Sequence, residues 1–223
     1  MTDQLPPPFL IADSPALDFL NSVAVPVDTK VEWLRSGEDL INWLLQAGML
    51  PPDVPAILRK TTSPGELEAV ASKARALREW FRKFVDAHKG SPLKPKALRE
   101  LDPLNRILAR DEEFGQIVAR EKIRRLKSAS AEDSDPEPVS GLVWSPQRRW
   151  RSPDSLLLPI AKAMADLICE NDFTHVKACE GHKCVLVFVD RTRGRARRWC
   201  SMAVCGNRAK QAAHRERAHL TRK

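Results

Sequence analysis

Cys179-Glu180-Gly181-His182-Lys183-Cys184 and Cys200-Ser201-Met202-Ala203-Val204-Cys205 place two cysteine pairs of identical spacing near the end of a 223-residue chain. Four residues separate the cysteines of each pair, and fifteen residues, 185 to 199, separate the pairs. A tight turn can aim two thiolates at one point, so two such turns supply the four ligands of a tetrahedral zinc site. Disulfides are the competing use of paired cysteines. The start, Met1-Thr2-Asp3-Gln4-Leu5-Pro6, lacks the basic-then-apolar order of a secretory leader, so a cytoplasmic, reducing location is expected. Cys179, Cys184, Cys200 and Cys205 are therefore expected to hold one zinc ion. Thiolates fill every coordination place in this reading, which makes the ion structural and leaves no position for substrate. Cys169, inside the preceding helix, reads as a packed thiol, and His182 as a residue pointing to solvent from the first turn.

The residues between the pairs suggest a hairpin. Val185 to Val189 is strongly strand-forming, Asp190 to Gly194 carries turn chemistry, and Arg195 to Trp199 could return as the second strand. After Cys205, Asn207 to His219 is rich in helix formers. The expected order is cysteine turn, hairpin, cysteine turn, helix, a small treble-clef-like finger.

Charge is distributed unevenly. Residues 175 to 223 contain 13 Lys and Arg against 3 Asp and Glu, whereas the rest of the chain is slightly acidic. Arg191, Arg193, Arg195 and Arg197 recur at steps of two, which on an extended strand puts them on one face, with Arg198 opposite. Arg208, Lys210 and Arg215 add charge on the following helix. These eight residues are candidate phosphate contacts. Trp199, next to a ligand, is expected to pack the finger's core.

Residues 1–173 read as an α+β domain, mostly helical with a few strands, and residues 174–223 as the finger. Ser36 caps a helix with Asp39 at its third position, a face of Leu40, Trp43, Leu44 and Ala47, and Gly48 at its end. Ser63-Pro64-Gly65-Glu66 opens the clearest helix, whose stripe is Leu67, Val70, Ala74, Leu77, Phe81 and Phe84. A helix from Pro95 to Arg110, kinked at Pro103, would bury Leu98, Leu101, Leu104 and Leu108. Strands are expected within Gln116 to Leu126 and at Gly141 to Trp144, with an exposed loop from Ser128 to Ser140. Ser152-Pro153 begins a helix facing inward through Leu157, Ile160, Ala161, Met164, Leu167 and Ile168. Ala16 to Val23 fits a strand or a short helix equally well. No nucleophile, phosphate loop or open metal site stands out in this domain, so no enzymatic activity is expected.

The run Trp199 to Lys210 resembles the CGNR zinc finger, named for Cys205-Gly206-Asn207-Arg208, and Cys179, Cys184, Phe188 and Asp190 fit the same pattern. Leu17-Asp18-Phe19-Leu20-Asn21 and the helix around Asp39, Leu40 and Trp43 are similar to the ABATE domain that accompanies it, although Ser22 stands where that family often has Thr. The resemblance implies a bacterial stress-induced transcription regulator whose finger binds nucleic acid, duplex DNA in the first instance. Its N-terminal domain would sense a small-molecule effector or form a homodimer. Asp18 and Asn21 would then line a pocket or satisfy buried backbone. Two other readings stand beside this one: an RNA- or ribosome-associated protein, because an arginine-rich zinc module does not itself distinguish duplexes, and an enzyme with an N-terminal active site.

Overall fold

The computed structural model describes residues 5–25, 29–119 and 141–220, and within the last helix not the side chains of 213 and 216–220. The Ser128 to Ser140 loop and the end of the Gln116 to Leu126 segment lie outside the described residues. Ala16 to Val23 resolves as helix: α1 (Pro15–Leu20) leads into β1 (Val23–Ala24), which pairs antiparallel with β2 (Val31–Glu32). Ser36 accepts from the Asp39 amide at the start of α2 (Gly37–Gln46), and Gly48 follows the helix at φ +66°, a conformation that glycine adopts without strain. After α3 (Val54–Thr61), α4 (Pro64–His88) begins with the reciprocal Ser63–Glu66 capping box, and all six residues of its expected stripe are buried.

The next helical segment differs from its expected form. Pro95–Leu101 winds as a 3₁₀ helix and only Asp102–Leu108 (α5) is α-helical. A 3₁₀ turn takes three residues, not 3.6, so the inward face shifts phase. Ala97 and Leu104 are buried, while Leu98 is 63% exposed. β3 (Glu113–Ala119) and β4 (Leu142–Arg148) form an antiparallel ribbon that pairs Ile117 with Trp144. A 3₁₀ turn at Pro153–Leu156 feeds α6 (Leu157–Glu170), which buries Leu157, Ile160, Ala161, Met164 and Leu167. Cys169 is exposed on the last turn of α6, a correction to its reading as a packed thiol.

The C-terminal region holds β5 (Val176–Ala178), β6 (Val187–Val189) and α7 (Asn207–Leu220), with one wide π-helical turn, Met202–Gly206, just before α7. β6 pairs with β5, not with residues 195–199. The first cysteine pair therefore sits in the hairpin connection, and residues 190–199 return as a loop. The hydrophobic core runs across residue 173: Phe173, Val176, Leu186, Val187, Phe188 and Val189 join the same buried cluster as Leu17, Phe81 and Met164. α1 packs on α4, α6 and β6.

One ion pair braces this body. Arg78 on α4, 3% exposed, meets both Glu32 oxygens at 2.6 and 2.8 Å and donates to Ser22 Oγ at 2.9 Å. Glu32 also accepts from the Leu34 amide at 2.9 Å. Burial alone would raise the Glu32 carboxyl, but the Arg78 guanidinium outweighs it and holds the group below its usual range. Removing one partner of such a pair strands the other charge. Arg78→Ala is expected to destabilise the protein by about 3–5 kcal/mol in urea denaturation, more than Arg59→Ala at the exposed Glu38 pair.

Candidate metal centre and basic surface

The four cysteine sulfurs lie within 4.8 Å of one another. Cys184 Sγ is 3.8 Å from Cys200 Sγ, which is 3.6 Å from Cys205 Sγ. Sulfurs about 2.3 Å from a central zinc ion stand about 3.8 Å apart at the corners of a tetrahedron. A disulfide would need about 2.05 Å. Among the described residues this is the one cluster of metal-ligating side chains, and Cys169 and His182 are not part of it.

Local structure explains the convergence. The β5–β6 pairing makes residues 179–186 a closed connection, in which the Cys179 amide donates to Leu186 O and the Cys184 amide to Gly181 O. The Gly181 and Cys200 amides point at Cys179 Sγ from 3.4 and 3.2 Å, a setting suited to thiolate. A Cβ at Gly181 would stand 2.8 Å from Cys205 Sγ, so glycine is needed where the two turns meet.

The thiols also shift one another. A hydrogen bond with Cys200 pulls Cys184 down to about 5, the same bond pushes Cys200 up, and burial pushes Cys205 up to about 12. Four thiolates at this spacing need a cation between them, and a divalent one supplies it. The residues fit one structural zinc ion, whose chemistry here is to hold two turns together.

The return of the chain from β6 to the second pair depends on Asp190, which is 0% exposed. Its carboxylate accepts from Lys177 Nζ at 2.8 Å, the Thr192 amide at 3.0 Å, Thr192 Oγ1 at 2.6 Å and the Arg197 amide at 2.9 Å. Burial would raise this carboxyl, but the four donors hold it far below the ordinary range. They also gather residues 190–197 into a loop, and Arg195 takes φ +48°.

The step-of-two arginines therefore do not share a strand face. Arg197 is half-buried: its guanidinium lies 4.1 Å from the Phe188 ring centroid, donates to Ile11 O at 2.8 Å and Cys200 O at 2.5 Å, and pairs with Asp13. That is the position of a brace between the finger and the segment before α1. Arg191 donates to Asp13 O, Arg195 to Asp190 O, and Arg198 pairs with Glu180 at 2.6 Å while lying over the Trp199 ring. Trp199 packs against the core. Arg193, Lys210 and Arg215 are exposed with no protein partner among the described residues, and Arg208 is exposed at the first turn of α7.

Asn21 and Asp18 satisfy backbone. Asn21 Nδ2 donates to Val187 O at 2.8 Å, and its Oδ1 accepts from the Val187 amide at 3.0 Å. Asp18 accepts from the Ala12 amide at 3.0 Å, and Ala12 O in turn accepts from the Val189 amide at 2.9 Å. Of the two uses the sequence left open for Asp18 and Asn21, the structure shows backbone satisfaction; the partner of Asn21 could not be named from sequence because it is a main-chain group 166 residues away.

This geometry defines a zinc-finger protein, with a four-cysteine finger built onto a largely helical α+β body. Residues 13–171 match the ABATE family, described as a "putative stress-induced transcription regulator", and residues 175–218 match the CGNR zinc finger. The chain belongs to the ABATE family and carries a CGNR finger at its C-terminal side. These are regulator and zinc-finger families, not enzyme families. A comparison with curated proteins finds no match. Among the described residues no helix is long and apolar enough to cross a membrane.

Elemental analysis is expected to find one zinc per chain, lost in Cys200→Ser and retained in Cys169→Ser. Because the core is continuous, chelation should lower the thermal midpoint of the whole chain and not melt the finger alone. Asp18 gives a pH signature. Burial raises its carboxyl to about 6 from an ordinary 3.8, against the pull of the Ala12 and Ile11 amides. A raised folded-state value means that protonation favours the fold. The contribution is full below about pH 4 and lost as pH rises through 6. Relative to Asp18→Asn, the wild-type protein should therefore lose stability from pH 4 to 6 and change little above 7, read by urea denaturation.

Proposed function

We propose that this protein is a cytoplasmic bacterial transcription regulator that binds duplex DNA through its zinc finger. The observation that carries the reading is the presentation of α7. The helix leaves the protein directly from the Cys205 turn and packs chiefly on that turn. Asn207, Arg208, Lys210, Gln211, Ala212, His214 and Arg215 are all exposed. A polar helix held at one end and open on its described faces has the form of an element that enters a groove. Arg208, Lys210 and Arg215 supply charge along it, and Arg193 adds a cation on the loop after β6. Arg191, Arg195 and Arg198 form a rim that can exchange its protein partners for phosphates. Arg197 acts in this scheme as a brace. Zinc fixes the helix by fixing the turn before it, so binding should require the metal.

The regulated response would be to stress, in keeping with the family description. If Arg193, Arg208, Lys210 and Arg215 each neutralise one phosphate, log affinity should fall against log salt with a slope of about −3 to −4. Lys210→Ala combined with Arg215→Ala should flatten that slope by about two while leaving zinc content and thermal midpoint intact. Fluorescence titration of a labelled duplex at several salt concentrations measures both. An unchanged slope in the double variant would remove α7 from the interface. Stronger competition by a matched RNA duplex would move the function to RNA.

A further inference from the structure

A cavity of about 140 Å³ lies between the segment before α1, β1 and the zinc site. Its walls are Phe9, Ile11, Ala24, Leu186 and Val204, with three of the four zinc-site cysteines, Cys184, Cys200 and Cys205, forming one side. Ser201 and His182 also line it, and neither side chain has a hydrogen-bond partner among the described residues. Arg208 lines it as well.

Size, lining and charge each restrict the occupant. A cavity of about 150 Å³ with aliphatic and aromatic walls takes up benzene, so this one accommodates a single ring. A zinc ion with four thiolates carries a net charge of about −2, and Arg208 is the one Lys or Arg among the residues lining the cavity, so the wall itself disfavours an anion. The unpartnered Ser201 hydroxyl and His182 ring offer hydrogen bonds to one polar substituent. We propose that this cavity is a binding site for an uncharged single-ring aromatic alcohol, of the phenol class. Its ring lies against Phe9, Ile11, Leu186 and Val204, and its hydroxyl faces Ser201. The site does not depend on the nucleic-acid reading, since it is formed before any duplex is present.

Phenol itself is the probe, added to the zinc-loaded full chain and followed through backbone amide NMR shifts. Saturable shifts are expected at Ala24, Leu186 and Val204, with benzoate at least tenfold weaker. Val204→Trp fills the cavity from its exposed side, and Ile11→Trp fills it from the side away from the cysteine turns. Each should weaken phenol at least tenfold while one zinc per chain is retained. Ser201→Ala should weaken phenol severalfold but leave toluene unchanged. The site is wrong if no shifts appear up to about 10 mM phenol, or if Ile11→Trp with its zinc in place binds phenol as the parent does. Benzoate binding as tightly as phenol would overturn the assigned ligand class.

Discussion

The seam between α1 and β6 depends on one side-chain amide. Asn21 meets both polar atoms of Val187 and so stands in for a neighbouring strand along a buried edge. Without that amide, a donor and an acceptor of β6 would be buried unpaired, at a cost of about 1–3 kcal/mol each. Next to it Ala12 O takes the Val189 amide, and Asp18 holds the Ala12 amide from the other side. The Leu17 to Asn21 motif is thus the socket of the finger. The four-cysteine site is built on the strand that this socket holds.

From the seam, order passes to the metal through Asp190 and Arg197. Asp190 ends β6 and gathers the loop that carries the chain back. Arg197, fixed by that carboxylate through its own amide, reaches Ile11 O, Asp13 and Cys200 O. The second cysteine pair is consequently located by protein contacts as well as by zinc. Ordinarily a finger of this length has too little core to stand alone. Here Phe188 and its neighbours borrow the core of the helical body.

Signals that are local in the chain were legible in the sequence. The Ser63–Glu66 box, the Ser36 cap and the α4 stripe need only a few residues, and each appears in the structure as read. The same holds for the cysteine spacing, since two short connections leave little freedom in where the thiols meet. β5 escaped because the alternation of Val176, Lys177 and Ala178 spans only three residues, shorter than the run of about four to eight that identifies a strand. Its absence from the reading displaced the hairpin by one strand and turned a loop into a strand. Leu98 was misplaced because an α-helical period was imposed on a 3₁₀ turn.

The arginines show why charge counting runs ahead of geometry. Arg191, Arg195, Arg197 and Arg198 are as basic as Arg193 or Arg215, yet each is engaged by a carbonyl, a carboxylate or a ring within the protein. A guanidinium can lie on Phe188 and still donate in its own plane, which lysine could not do. Composition places all of these charges in one segment. Folding engages Arg191 and Arg197 with the segment before α1 and Arg195 and Arg198 within the finger, and leaves Arg193 on the loop after β6 and Lys210 and Arg215 on α7 exposed. A step-of-two pattern becomes a face only if the backbone is a strand, and the hydrogen bonds that Asp190 accepts prevent that.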